Sequence, residues 1–215
     1  MTVLRLADPA AGADLGGYLT RLLRYDRRAI VRVRADGAVL GTFGHPPFGE
    51  AGSGVITLRA TALAEPAELD ATVSAGQLLE GIEEDASVRV PASVTGPGWA
   101  GMLPPRTGWE LLDELPLPEV AREVAAGVAE FRAGTVPDTP RAELDRIAAT
   151  IWNRPITEHL PLRAAHAAHA LGFLGPLDPN ARVAVLRAGG WLRLEAPYGS
   201  VSVRRPGAPG LLFTS

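Results

Sequence analysis

Lysine and cysteine are both missing from the 215 residues, and all 21 basic side chains are arginines. Without lysine the chain cannot form a Schiff base with a carbonyl substrate or pyridoxal phosphate. Nor can it supply the P-loop amine that reaches the terminal phosphates of a nucleotide. Without thiols it can form no disulfide, thiolate nucleophile, thiolate-held zinc or cysteine-held iron–sulfur cluster from its own residues. Gln77 is the only glutamine. The abundance of Ala, Gly, Pro and Arg matches GC-rich coding, which weakens the arginine content as a sign of nucleic-acid binding. Long apolar runs are missing too: no stretch of about 20 residues is free of charge. The start, Met1 to Asp8, lacks the basic and apolar regions of a secretory signal. A cytoplasmic protein with no membrane partner is expected.

What is present is ordinary globular material, 47% apolar and 21% charged. A chain of this length buries roughly 70% of its unfolded surface and needs no metal or disulfide to be stable. The formal charge of −3 is unevenly divided. Residues 140–215 hold nine Arg and five Asp/Glu, which makes that part +4 and leaves −7 for the rest.

The pattern predicts an α+β fold. Asp8-Pro9 is a helix start, and Leu15, Tyr18, Leu19, Leu22 and Tyr25 follow at helical spacing. Ile30–Arg34, the turn signal Asp36-Gly37 and Ala38–Phe43 predict a tight hairpin. Val55–Arg59 and Leu69–Val73 read as two further strands. Ser74 to Gln77 has capping-box spacing for a short helix to about Ile82, and Ser87–Val90 reads as a strand. The first 90 residues therefore form a mostly antiparallel sheet with covering helices. Residues 91–118, rich in Pro, Gly and Trp, read as an ordered crossing segment. Residues 119–215 follow as three helices and a three-stranded β-meander. Those helices are marked by Val120, Val124, Val128 and Phe131 before Gly134, by a Thr139-Pro140 cap followed by Leu144, Ile147 and Ile151, and by a start near Pro161. The meander is free to join the first sheet, making one compact unit.

Leu40–Phe48, Leu69–Gly76 and Arg163–Phe173 give the chain a resemblance to a family of uncharacterised actinobacterial hypothetical proteins. The resemblance implies a bacterial cytosolic protein and carries no site residues with it.

Three of the four histidines, His159, His166 and His169, lie within eleven residues. On a helix from Pro161, His166 and His169 share a stripe with Leu162 and Phe173, and the opposite side is apolar as well, so both rings are expected inside the fold. Two histidines three residues apart make only half a zinc site, and no sequence-near carboxylate shares their face, so the expectation is a buried polar site with no metal and no cofactor. The loop Gly44–Gly54 lies between strand signals, which argues against a phosphate cradle. Ser53 lacks the nucleophile-elbow pattern. Glu83-Glu-Asp85 reads as a solvated helix end. No complete catalytic set is found, so the sequence leans against an enzyme.

The leading reading is thus a non-enzymatic cytosolic binding or assembly module that self-associates, with an unassigned protein or small-molecule partner. Its contact is expected around Trp99, Met102, Arg106 and Trp109, because Trp and Arg dominate binding hot spots. His45, with Phe43 and Phe48, would add an aromatic wall at a pocket mouth. One alternative is a winged-helix-like nucleic-acid binder using Arg163, Arg193, Arg204 and Arg205. The other is a small-molecule enzyme or ligand binder that uses His166 and His169 while an arginine clamps an anionic group.

Overall fold

A computed structural model describes residues 2–48, 54–94, 103–176 and 178–205. Trp99, Met102 and Ser53 lie outside them. The chain is α+β. It opens with strand β1 (Thr2–Arg5) and helix α1 (Pro9–Tyr25), where the Asp8 carboxylate accepts the Ala11 amide at 2.8 Å. The predicted stripe buries Leu15, Tyr18, Leu19 and Leu22 completely, while Tyr25 at the end stays 45% exposed.

The expected hairpin at Asp36-Gly37 does not form. Strand β2 (Ile30–Gly44) runs straight through it, and its partner is the 20-residue strand β3 (Val55–Ser74). Gly37 does adopt a positive φ of +63, but the chain takes it up as an irregularity. Gly37 pairs with Ala67 and Val39 with Ala62, so β3 carries the surplus residues at the register shift. There Leu63 bridges to Leu6 and the Ala7 amide donates to the Ala62 carbonyl. A partner long enough to pair along all of β2 overrides the local turn signal. The two short strands expected at 55–59 and 69–73 are the two ends of β3.

Helix α2 (Ala75–Glu80) begins as predicted, with Ser74 Oγ accepting the Gln77 amide at 3.4 Å. Strand β4 (Ser87–Val90) pairs with β1 in a two-stranded sheet. Strand β5 (Glu110–Pro116), inside the expected crossing segment, was not anticipated, because its Glu-Leu-Leu-Asp-Glu-Leu-Pro does not alternate. The helices α3 (Leu117–Ala133), α4 (Arg141–Trp152) and α5 (Leu162–Ala170) fall where the apolar spacing puts them. Thr139 does not cap α4, however. Its hydroxyl accepts the Val136 amide at 2.8 Å and so closes the preceding turn.

The meander is β6 (Arg182–Ala188), β7 (Trp191–Ala196) and β8 (Gly199–Arg204). It joins the first sheet through β3 and β8, where Val55 faces Val203 and Thr57 faces Val201. The result is one antiparallel sheet of order β2-β3-β8-β7-β6-β5. Directly paired residues share a face, so Val55, Thr57, Val201, Val203, Leu192, Leu194 and Val185 form a continuous buried stripe. Helix α5 packs on β3, β7 and β8, α1 packs on β3, and α3 and α4 pack against α5. The opposite face carries Arg193, Ser202 and Trp191. Because β7 is hydrogen-bonded on both sides, the C-terminal hairpin is sheet interior and not the free wing that a winged helix requires.

Candidate functional site

The loop after α5 is shaped by two glycines in the left-handed region, Gly172 (φ +79) and Gly175 (φ +67), a conformation that side-chain-bearing residues adopt at a cost. Between them Phe173 turns inward, 1% exposed, and stacks on Tyr18 of α1 with ring centroids 5.4 Å apart. Its carbonyl accepts the Tyr198 amide at 3.0 Å, which ties this loop to the β7–β8 turn. Between the loop, the outer side of α1 and β3 an open cleft of about 340 Å³ remains. Asp14, Gly17 and Arg21 supply its helical wall, Arg59 its floor, and Tyr198 its rim.

Arg59 is held from two sides. One Nη donates to the Asp14 carboxylate and the other to the Tyr198 carbonyl, both at 2.5 Å. Its guanidinium also lies 5.8 Å from the centre of the Tyr198 ring. The Nε–H is buried without a partner. A smaller cleft of about 200 Å³, bordered by Leu58, Ala60, Glu195 and Ser200, lies alongside and shares Arg59 and Tyr198 with the first. Arg21 is exposed and enters no ion pair among the described residues. Its guanidinium occupies a slot between two glycines. A Cβ on Gly172 would fall 2.9 Å from Arg21 Cζ, and one on Gly17 would fall 3.0 Å from a terminal nitrogen. The cleft thus carries two cations and one carboxylate.

The residues singled out from sequence are scattered. Trp109 is half-buried, donates from Nε1 to the Pro105 carbonyl at 2.9 Å, and stacks 3.9 Å from the Arg193 guanidinium. It fastens the crossing segment to the sheet. Arg106 pairs with Asp36 on the surface. His45 is exposed and packs over Gly54. Phe48 contacts Tyr25 and His166 edge-on, with centroids 4.8 and 5.0 Å away.

The histidines do not converge. His166 is half-buried and stacks on Trp152 at 4.0 Å. Burial, and secondarily the charge of His169, push its pKa down to about 4. His169 is exposed, against expectation, because its side of α5 faces solvent near the helix end. His159 is exposed beside Glu158 at 3.8 Å. Among the described residues no group of three or more His, Asp or Glu is placed to hold a metal ion. In the acidic run Glu83–Asp85, Glu83 pairs with Arg89. Asp85 accepts the Ser87 hydroxyl and amide, which hold its carboxyl below the usual range.

The C-terminal arginines do not form one exposed surface. Arg163 is 8% exposed and bonds to Asn153. Arg193 is pinned between Trp109 and Ser202, and Arg204 lies over Trp191 at 4.4 Å. Of these four arginines only Arg205 is exposed. Exposed arginines without an ion pair among the described residues cluster elsewhere, at Arg21, Arg24, Arg27 and Arg28. The sequence signal for them, Arg-Leu-Leu-Arg-Tyr-Asp-Arg-Arg at the end of the first helix, was hidden by the net negative charge of that half.

Solved structures with a similar fold are DNA polymerase sliding clamps. The DnaN sliding clamp (DNA polymerase III subunit beta) from Bartonella birtlesii bound to griselimycin matches with a TM-score of 0.56 at 9% identity, over 99% of this chain and 67% of that one. The Caulobacter crescentus sliding clamp gives 0.54 at 11%, over 99% and 68%. The Pseudomonas aeruginosa DNA polymerase III subunit beta gives 0.52 at 11%, over 92% and 64%. The chain therefore spans about two thirds of the length of these clamps, and at this identity the likeness is one of fold. No curated protein matches the chain. Asp14, Arg21 and Arg59 come from one matched stretch and Gly172, Gly175 and Tyr198 from another: residues 1–101 match a domain of unknown function (DUF8010) and residues 104–208 match a second (DUF8185), in keeping with the resemblance to uncharacterised proteins.

Proposed function

We propose that the chain is a non-enzymatic cytoplasmic assembly module that works by joining further copies of itself and by presenting the resulting surface to a protein partner. One observation carries this reading: the described sheet follows a clamp-like fold, and among the described residues each of its two end strands has a strand neighbour on one side only. Among the described residues β2 pairs only with β3, and β5 only with β6. The edge of a sheet is a template on which another strand can pair. Each edge also bears an apolar side chain in solvent, Val39 at 48% and Leu111 at 58% exposure. Joining unlike edges is a heterologous contact, which closes into a ring or runs on as a filament. The scattering of the histidines and the pairing of the carboxylates support a binding role over a catalytic one.

Leu111→Asp and Val39→Asp test it, since both sites are exposed and neither change disturbs the core. The particle mass in sedimentation is expected to fall to that of one chain in either variant. A wild-type protein that sediments as a single chain at every concentration would end this reading.

A second reading is favoured by the exposed arginines at 21, 24, 27 and 28, which enter no ion pair among the described residues. They would lie along a nucleic-acid backbone as a charge-driven contact, in which affinity falls steeply with salt. This moves the nucleic-acid surface from the C-terminal half to the end of α1. Duplex DNA binding that is lost in the quadruple Arg→Gln variant, and in high salt, supports it; no binding at low salt removes it.

A further inference from the structure

We propose that the cleft between α1 and the 171–176 loop is a binding site for an oxyanion, the carboxylate or phosphate group of a small ligand, gripped by Arg21 from the rim and Arg59 from the floor. A lone exposed arginine would be a solvated side chain and nothing more. Arg21 differs because its guanidinium lies close against two glycines at the edge of the cleft. Gly17 on the helix and Gly172 on the loop each lack the Cβ that would strike its guanidinium, and Gly172 holds a left-handed φ of +79 to bring the loop close.

The charge so positioned is left without a partner. The cleft's single carboxylate, Asp14, lies on Arg59 at 2.5 Å, and no described carboxylate pairs with Arg21. Arg59 itself is under-satisfied: its side chain is 13% exposed and its Nε–H is buried with no acceptor. A buried donor left unmade is costly, and a ligand oxygen that reached it would relieve that cost. Guanidinium groups are suited to this, since their planar fork matches both carboxylate and phosphate.

The Tyr198 ring at the rim gives the ligand an apolar or aromatic body to lie against, and a volume of about 340 Å³ is at the small end of sites for small molecules, which run from about 300 to 1,000 Å³. Oxyanion binding here stands whether or not the chain self-associates, and the two are read out separately.

The test titrates inorganic phosphate and, separately, acetate into isotopically labelled full-length protein while following the arginine Nε–H resonances. Saturable movement of the Arg21 and Arg59 signals with either anion is expected, and the anion that produces it at lower concentration identifies the group. Calorimetry is then repeated with Arg21→Gln and with Arg24→Gln, one turn along the helix and outside the cleft. Affinity should drop about tenfold or more in the first and remain within about twofold in the second. If Arg21→Gln fails to fold, the wild-type resonance movement alone decides. Absence of saturable movement with both anions would overturn the proposal. So would equal loss in the two variants, which would mark a diffuse basic surface.

Discussion

The Tyr18 hydroxyl lies 2.9 Å from Thr57 Oγ1, and Thr57 in turn donates to the Gly44 carbonyl at 3.1 Å, so one buried relay links α1, β3 and the end of β2. Beyond the floor of the cleft, this relay fixes how α1 sits on the sheet. Tyr18→Phe keeps the ring on Phe173 and removes only the donor. It should cost about 1–2 kcal/mol in urea unfolding. Burial raises the Tyr18 pKa well above its ordinary value of 10.0. Its contribution is thus fully present below pH 10 and lost at higher pH. The gap between wild type and Tyr18→Phe should narrow as solutions become strongly alkaline, and a constant gap would show that the phenol is not buried as described.

His166 gives a dependence at the other end of the scale. Its pKa is lowered from 6.5 to about 4, so the unfolded chain takes up a proton over this interval that the folded chain refuses. The neutral ring's contribution is complete above pH 6.5 and declines as pH falls toward 4, by at most about 3 kcal/mol. Phenylalanine at 166 preserves the stack on Trp152 and cannot titrate. Chemical denaturation at pH 7 and pH 5 should show a loss in wild type that the variant lacks.

Two helix glycines should respond oppositely to alanine. At Gly127 in α3 a Cβ would meet Trp152 at 2.9 Å, Leu162 at 3.2 Å and Ile151 at 3.3 Å. Overpacking there should destabilise by about 1–3 kcal/mol, more than the helix preference of alanine returns. At Gly16 the nearest atom is Leu79 Cδ1 at 3.6 Å, an ordinary contact. Gly16→Ala should stabilise by about 0.5–1 kcal/mol. Melting curves of both variants check this pair.

Trp109 and Arg193 form the contact that holds residues 103–109 over the outer face of the sheet. Trp109→Ala should cost about 1–3 kcal/mol through lost stacking and burial. Arg193→Ala in that background should add less than it does alone, and a double-mutant cycle measures the difference. Additive effects would mean that the two side chains act independently.

The helices were legible in sequence because each one writes its buried stripe at a spacing of three and four residues, as Leu15, Tyr18, Leu19 and Leu22 do. The meander was legible through two short runs rich in Val and Leu, Val183–Arg187 and Trp191–Glu195, parted by Ala188-Gly-Gly190. Asp36-Gly37 misled because a turn signal is local, whereas the choice between turning and continuing was made by β3, whose partners in β2 lie up to 44 residues away, as between Ile30 and Ser74. Strand β5 was missed because its position at the sheet edge leaves Glu110, Leu111, Asp113 and Glu114 all exposed, so no apolar alternation is required. The cleft was illegible for a similar reason. Asp14, Arg21, Arg59, Gly172 and Tyr198 span 185 residues, and nothing short of the joined β3–β8 sheet brings them together. The basic run at the end of α1 was visible, but half-chain net charge averaged it away.

Sedimentation velocity of the full chain across a wide range of concentrations tests the central claim most directly. A mass that rises with concentration to a multiple of the 22.6 kDa chain, and that returns to one chain in Leu111→Asp, is the result predicted by edge-to-edge assembly. A single 22.6 kDa species at every concentration, or an oligomer indifferent to both Leu111→Asp and Val39→Asp, would contradict it.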